Sequence, residues 1–121
     1  MMNNRFLVIS TLSGGDFDNN DVWTNQWSVG TFEQLGTCYM ESQIDLEKTL
    51  TDGLEFRFCD EENGQEELTK FVKETMKDVW KTDRRENELK LFEPEHILSI
   101  QYDPDDFSRV EINYLVIRIK D

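Results

Sequence analysis

The segment from Val110 to Lys120 constrains the fold of this chain more than any other, because its apolar residues change parity midway. Val110, Ile112 and Tyr114 fall on even positions, whereas Leu115, Ile117 and Ile119 fall on odd ones. Side chains of an extended segment alternate between two faces, so this pattern needs either a bulge near Asn113 to Leu115 or apolar cover on both faces. In both cases the segment reads as a long central strand, and the rest of the chain must be fitted around it.

Residues 5–12 (RFLVISTL) are β-branched and apolar and read as another strand that can be covered on both faces. Residues 13–26 hold two Gly, three Asp and three Asn and read as a polar loop. Trp27 to Phe32 is short and shows no clear period. In residues 38–46, Cys38, Met40, Ile44 and Leu46 alternate on one face, with Ser42 its one polar member, which predicts a strand. Thr51-Asp52-Gly53 marks a turn, after which Leu54, Phe56 and Phe58 alternate with Glu55, Arg57 and Cys59 as the next strand.

The period then lengthens. Leu68, Phe71, Val72, Met76 and Val79 are spaced by three and four, which predicts a helix over 64–82 with one apolar side. Asn63 suits its N-cap, Glu66 and Glu67 favour the positive end of the helix dipole, and Lys81 favours the negative end. Residues 83–88 (DRRENE) form a charged connection, Pro94 delimits a strand from His96 to Tyr102, and Asp103-Pro104-Asp105-Asp106 makes a turn into the last strand. This order lacks the alternation of strand and helix that builds parallel sheets. The expected fold is α+β: one domain over 1–121, with a mainly antiparallel sheet of about five or six strands and one amphipathic helix packed on it. A length of 121 residues suits one domain, and 33 Leu, Ile, Val and Phe are enough for a core. The chain contains no alanine, so that core is filled by large side chains, which favours sheet packing over a helical bundle.

Charge narrows the function classes. Thirteen basic against 26 acidic side chains give a formal charge of −13, which argues against direct binding of nucleic acid, since phosphates are held by Lys and Arg. The 64–82 helix is balanced, with Lys70, Lys73, Lys77 and Lys81 against Glu66, Glu67, Glu74 and Asp78, so the net charge lies elsewhere. Between Arg5 and Lys48 there is no basic residue, while Asp16, Asp18, Asp21, Glu33, Glu41, Asp45 and Glu47 are present. Asp60, Glu61 and Glu62, Glu93 and Glu95, and the 103–106 turn add to the surplus. Such a field favours solubility, and it also speeds association with a basic partner. Alternate residues on one face of a strand are ~6.8 Å apart, so Asp16 with Asp18, or Glu41, Gln43 and Asp45, approach the spacing of successive phosphates. Phe17, Trp23 and Trp27 lie in or beside the Asn/Asp-rich loop, either as a lid on the core or as interface anchors with a charged rim.

Familiar chemistry is absent. Asp16-Phe17-Asp18-Asn19-Asn20-Asp21 starts like a calcium loop, yet its sixth position is Asp21 rather than Gly and its twelfth is Trp27 rather than Glu. His96 is the only histidine, and Cys38 and Cys59 are the only cysteines, too few for a four-ligand zinc site without a carboxylate. Nothing pairs either thiol with His96, and no phosphate-binding Gly loop or Gly-x-Ser-x-Gly elbow occurs, so neither a cofactor nor a catalytic set is nominated. The run Phe6 to Ile9 is too short for a signal-peptide core or a membrane span, Asn-x-Ser/Thr acceptors are missing, and the cysteines lack a Cys-x-x-Cys spacing. These features predict a cytoplasmic chain with reduced thiols and no membrane partner.

In size and charge the chain resembles small acidic inhibitors, such as bacterial toxin-immunity proteins and phage anti-defence or nucleic-acid-mimic proteins. That resemblance implies a non-catalytic protein that covers a basic, nucleic-acid-binding site on a target such as a toxin nuclease. The expected partner-binding residues are Asp16, Asp18, Asp21, Glu41 and Asp45 as charges, with Phe17 and Trp23 as anchors. The other readings are a scaffold module that self-associates through a sheet edge or the loop aromatics, and a small enzyme of unfamiliar chemistry.

Overall fold

A computed structural model describes residues 4–16, 20–51, 66, 70–74, 86–105 and 108–120. Its elements are β1 (Asn4–Asp16), β2 (Asp21–Phe32), α1 (Leu35–Thr51), a 3-10 turn (Glu86–Glu88), β3 (Pro94–Asp105) and β4 (Ser108–Lys120). The strands form one antiparallel sheet in the order β2-β1-β4-β3, so the first and last strands lie at its centre. The α+β class and the antiparallel sheet are as expected, with four strands among the described residues rather than five or six.

β4 is indeed central. It pairs with β1 without a shift from Asn4↔Lys120 to Asp16↔Ser108. Val110, Ile112, Tyr114 and Val116 are buried on the face that carries the core, while Leu115, Ile117 and Ile119 are half-buried on the other. Cover on both faces thus accounts for the change of parity. The irregularity at this level belongs to the neighbour: β3 shifts register between His96 and Leu98, opposite Leu115 and Tyr114. The extra residue is Ile97, and the bulge lets both Ile97 and Leu98 be buried.

The polar segment 13–26 is not a long loop. β1 continues through Gly14 and Gly15 to Asp16, and β2 returns from Asp21, so most of the segment is hairpin. Asn20 takes a φ of 54°, a left-handed geometry that Asn tolerates. β2 also carries a bulge at Val29, beside Gly30 at φ 156°, where an added Cβ would meet the Phe32 ring at 2.8 Å. Only glycine fits there. Residues 54–59, expected as a strand, lie outside the described residues.

Residues 38–46 are not a strand but the middle of α1. Cys38, Ser42 and Leu46 are buried, and they are four apart as well as even-numbered, so they satisfy a helical face and a strand-like alternation alike. Met40 and Ile44 share their parity yet lie on the helix's outer side, 55% and 52% exposed. The start of the helix has no acidic residue in its first turn. A carboxylate comes from afar instead: Glu86 Oε1 accepts from the Leu35 N–H at 2.8 Å, satisfying one of the donors that a helix leaves open. Of the helix expected over 64–82, residues 66 and 70–74 are helical, with Val72 buried and Phe71 packed against Tyr102 at 5.1 Å between ring centres.

Core residues come from the even positions of β1 (Phe6, Val8, Leu12) and β4, from Leu98 and Ile100 of β3, and from Leu35, Cys38 and Leu46 of α1. One row of this face is polar. Trp27, Ser10 and Tyr114 are register neighbours across β2, β1 and β4, and the small Ser10 leaves room between two large rings. Into that gap α1 lowers Asp45, whose Oδ2 accepts from Tyr114 Oη at 2.6 Å and from Trp27 Nε1 at 3.1 Å.

Removing the acceptor strands two donors, whereas removing one donor leaves the carboxylate a partner. Asp45→Ala is therefore expected to lower stability by about 3 kcal/mol and Tyr114→Phe by about 1.5 kcal/mol in urea unfolding. Equal losses would contradict the shared-acceptor geometry. Alkaline pH should also destabilise the fold. Burial pushes the Cys38 thiol from its ordinary 9.0 up to about 12, and burial followed by the Asp45 carboxylate pushes the Tyr114 phenol up from 10.0. Between its ordinary and raised values each group keeps a proton in the folded chain that the unfolded chain has lost, so stability falls as pH rises. An unfolding free energy that drops steadily from pH 9 to 11 in urea titrations, by at most about 1.4 kcal/mol per pH unit for each group, is the expected result.

Candidate protein-interaction surface

The strand order places two separated parts of the sequence at one end of the sheet. Both hairpins turn there: the 16–21 connection between β1 and β2, and the 105–108 connection between β3 and β4. Register partners run across that end as Asp21, Asp16, Ser108 and Asp105, neighbours being ~4.8 Å apart. Three aspartates thus share one row of backbone positions, and Asp103 lies just behind it on β3.

The expected site residues fall into three groups. Asp16 and Asp21 belong to this row, whereas Phe17 and Asp18 lie outside the described residues. Trp23 pairs with Gly14 and is half-buried, packed against the core. Its ring seals the end of the core beneath the hairpin rather than standing free in solvent. Glu41 and Asp45 sit on α1, so Glu41, Gln43 and Asp45 do not have the extended spacing expected of a strand. Asp45 already holds Tyr114 and Trp27, which ties its carboxylate to the fold. Sequence reasoning placed Asp103 and Asp105 in an acidic turn but had no means of placing that turn beside Asp16, since the juxtaposition comes from strand order. It also missed the outward-facing Met40 and Ile44, because they were assigned to a strand.

Arg109 is the one cation of the strands at this end, and the helical segment 70–74, whose Phe71 packs on Tyr102, adds the exposed Lys70 and Lys73. Its Nε donates to Asp103 Oδ1 at 2.9 Å, and its Nη1 lies 3.8 Å from Glu111 Oε1. Asp103 also accepts from Gln101 Nε2 at 3.1 Å. The Gln101 amide first, and the Arg109 guanidinium after it, hold the Asp103 carboxyl below its ordinary 3.8. Beside them, on the sheet face turned away from α1, a cavity of about 160 Å³ is lined by Ser13, Gly14, Gly15, Val22, Arg109 and Glu111. The two glycines supply no side chains, which leaves the floor of the cavity open.

Among the described residues no three His, Cys, Asp or Glu side chains are grouped to hold a metal ion. Cys38 is a free thiol buried under α1, whereas His96 is exposed on β3 and pairs with Leu115, whose side of the sheet faces away from that helix. Cys59 lies outside the described residues. No helix among the described residues is long and apolar enough to cross a membrane. Comparisons with protein-family models, with curated proteins and with solved structures each found no match.

If two neighbours hold Asp103 ionised, removing either should release it. Gln101→Leu and Arg109→Gln are each expected to raise the Asp103 midpoint toward 3.8 in a carboxyl-detected NMR titration. An unmoved midpoint in both variants would show that these contacts do not form in solution.

Proposed function

We propose that this chain is a non-catalytic, acidic binding protein that sets the hairpin end of its sheet against a basic site on a target protein. The target class that fits is a nucleic-acid-binding enzyme, such as a toxin nuclease neutralised by its immunity protein. A phage anti-defence or nucleic-acid-mimic role is the second reading, since it would call on the same carboxylates. One observation carries the reading: Asp16, Asp21 and Asp105 occupy one row of backbone positions across the sheet, with Asp103 and Glu111 close behind and Arg109 the one cation on these strands there. These aspartates are carried on paired strands whose backbone is already ordered, so little loop freedom is lost when a basic surface meets them. Residues 6–47 contain no basic side chain, so the carboxylates of β1, β2 and most of α1 have no cation within their own segment and their field can steer encounter.

Glu41 remains as a half-buried charge on α1, beside the exposed Met40 and Ile44. It lies outside the aspartate row and serves as a contributor to the general field. Asp45 is a structural residue in this reading, and Trp23 supports the hairpin from within.

The test combines Asp16→Asn, Asp21→Asn and Asp105→Asn in one variant. Tagged wild-type chain captures its partner from native-host extract at low salt, and the purified pair is then measured by stopped flow. The triple variant is expected to associate about 10-fold more slowly than wild type, and the wild-type rate should fall steeply as salt rises, with dissociation little changed. A partner that binds the variant at the wild-type rate would overturn the proposal.

A further inference from the structure

We propose that the chain pairs with a second copy of itself through the sheet face turned away from α1, as a two-fold dimer of stacked sheets. The register sets Leu7 and Ile9 of β1 beside Ile117 and Leu115 of β4 on that face, with Ile119 one step further along. These five half-buried aliphatic side chains form one block on the two central strands. Among the described residues no element covers it. α1 grips the opposite face through Asp45, the 70–74 helix packs on that same face through Phe71 and Tyr102, and Leu89 joins the core there. An antiparallel sheet with one wet face alternates apolar with polar along its strands. Phe6-Leu7-Val8-Ile9 and Tyr114-Leu115-Val116-Ile117 are apolar on both sides instead, the pattern of strands enclosed on both faces.

Charge identifies the occupant. The chain carries −13, yet the charged residues on this face are Arg5, Arg109 and Glu111 by register and Asp103 through its bond to Arg109. Two cations and two anions stand there beside His96, so the face is neutral. A basic target would meet no surplus of carboxylates on it, and this surface is separate from the one that the docking reading uses. Two copies of an anionic chain repel over most of their surfaces, and a neutral patch facing its own image is where they approach without opposing like charges. The border of the block is polar and uncharged. Thr31 and Ser28 of β2 lie beside Leu7 and Ile9, Thr11 and Asn113 follow along the central strands, and Ser99 Oγ donates to Asn113 Oδ1 at 2.7 Å. An apolar centre with a polar border is the anatomy of a protein interface.

Size agrees with this occupant. Four strands of 12 or 13 residues, ~4.8 Å apart, make a face of roughly 19 Å by 40 Å, about 750 Å², close to the ~800 Å² per partner of a stable interface. Because the block straddles the two central strands, a two-fold axis through it lays Leu7, Ile9, Leu115 and Ile117 on their own counterparts. Such a contact is closed at two copies.

Sedimentation equilibrium on the full chain, up to about 1 mM and at about 0.05 M and about 1 M salt, tests the inference. Wild type is expected to dimerise at least about 10-fold more tightly at the higher salt, because screening removes the repulsion between two anionic chains and leaves apolar burial intact. Docking on a basic target responds to salt in the opposite sense. Ile117→Lys lowers the net negative charge, which would promote association if charge alone governed it, and is expected to raise the dimer dissociation constant at least about 30-fold by setting a charge in the apolar block. Met40→Lys makes the same change of charge on the outer side of α1 and should leave the dimer as tight as wild type or tighter. Leu115→Thr keeps a strand-favouring residue and should weaken the dimer in the same direction, so the test holds where Ile117→Lys proves unfolded by circular dichroism. A wild type monomeric at both salts, a dimer that Ile117→Lys or Leu115→Thr leaves intact, or species that grow beyond the dimer would overturn the proposal.

Discussion

A single carboxylate oxygen determines how the two layers of this protein meet. Oδ2 of Asp45 accepts from Tyr114 of β4 and from Trp27 of β2, so one residue of α1 grips the sheet on both sides of β1. Apolar contacts alone would allow the helix to slide or rotate over Phe6, Val8 and Leu12, because dispersion and burial are weakly directional. The hydrogen bonds fix one position. Ser10, the smallest side chain in the row, is what makes room for the carboxylate, so a serine at the centre of a core built from large residues has a spatial reason.

The strands at the chain's two ends were legible in the sequence because β-branched residues and their alternation persist over many positions. α1 was not, for two physical reasons. Its buried residues Cys38, Ser42 and Leu46 recur every four positions, a spacing that is also even, and Met40 and Ile44 happen to fill the gaps with apolar side chains that face outward. Its N-terminal anion is Glu86, so no local capping signal announced the start. β2 was hidden differently: Trp23 and Trp27 touch the core while Thr24, Asn25 and Gln26 between them are exposed, as an edge strand permits. The charges of the candidate surface could be read directly, but their assembly could not. Asp16 and Asp105 become near neighbours only through β4 lying between β1 and β3.

Charge and shape are both unevenly distributed along the sheet axis. The hairpin end combines aspartates with a shallow cavity, and the opposite end combines mixed charges with an exposed aromatic ring at Phe92.

The pairing of β1 with β4 has a further consequence for how the molecule comes into being. These central strands are separated by roughly a hundred positions of chain, so closing them joins the most distant segments of the described fold, and topologies of this kind fold slowly. During synthesis, the β1–β2 hairpin must wait on the ribosome with the inner edge of β1 bare until Ser108–Lys120 emerges. For that interval like-charge repulsion among the carboxylates of residues 16–47 opposes edge-to-edge aggregation of the nascent chain, so the acidic surplus acts on the fold's own assembly.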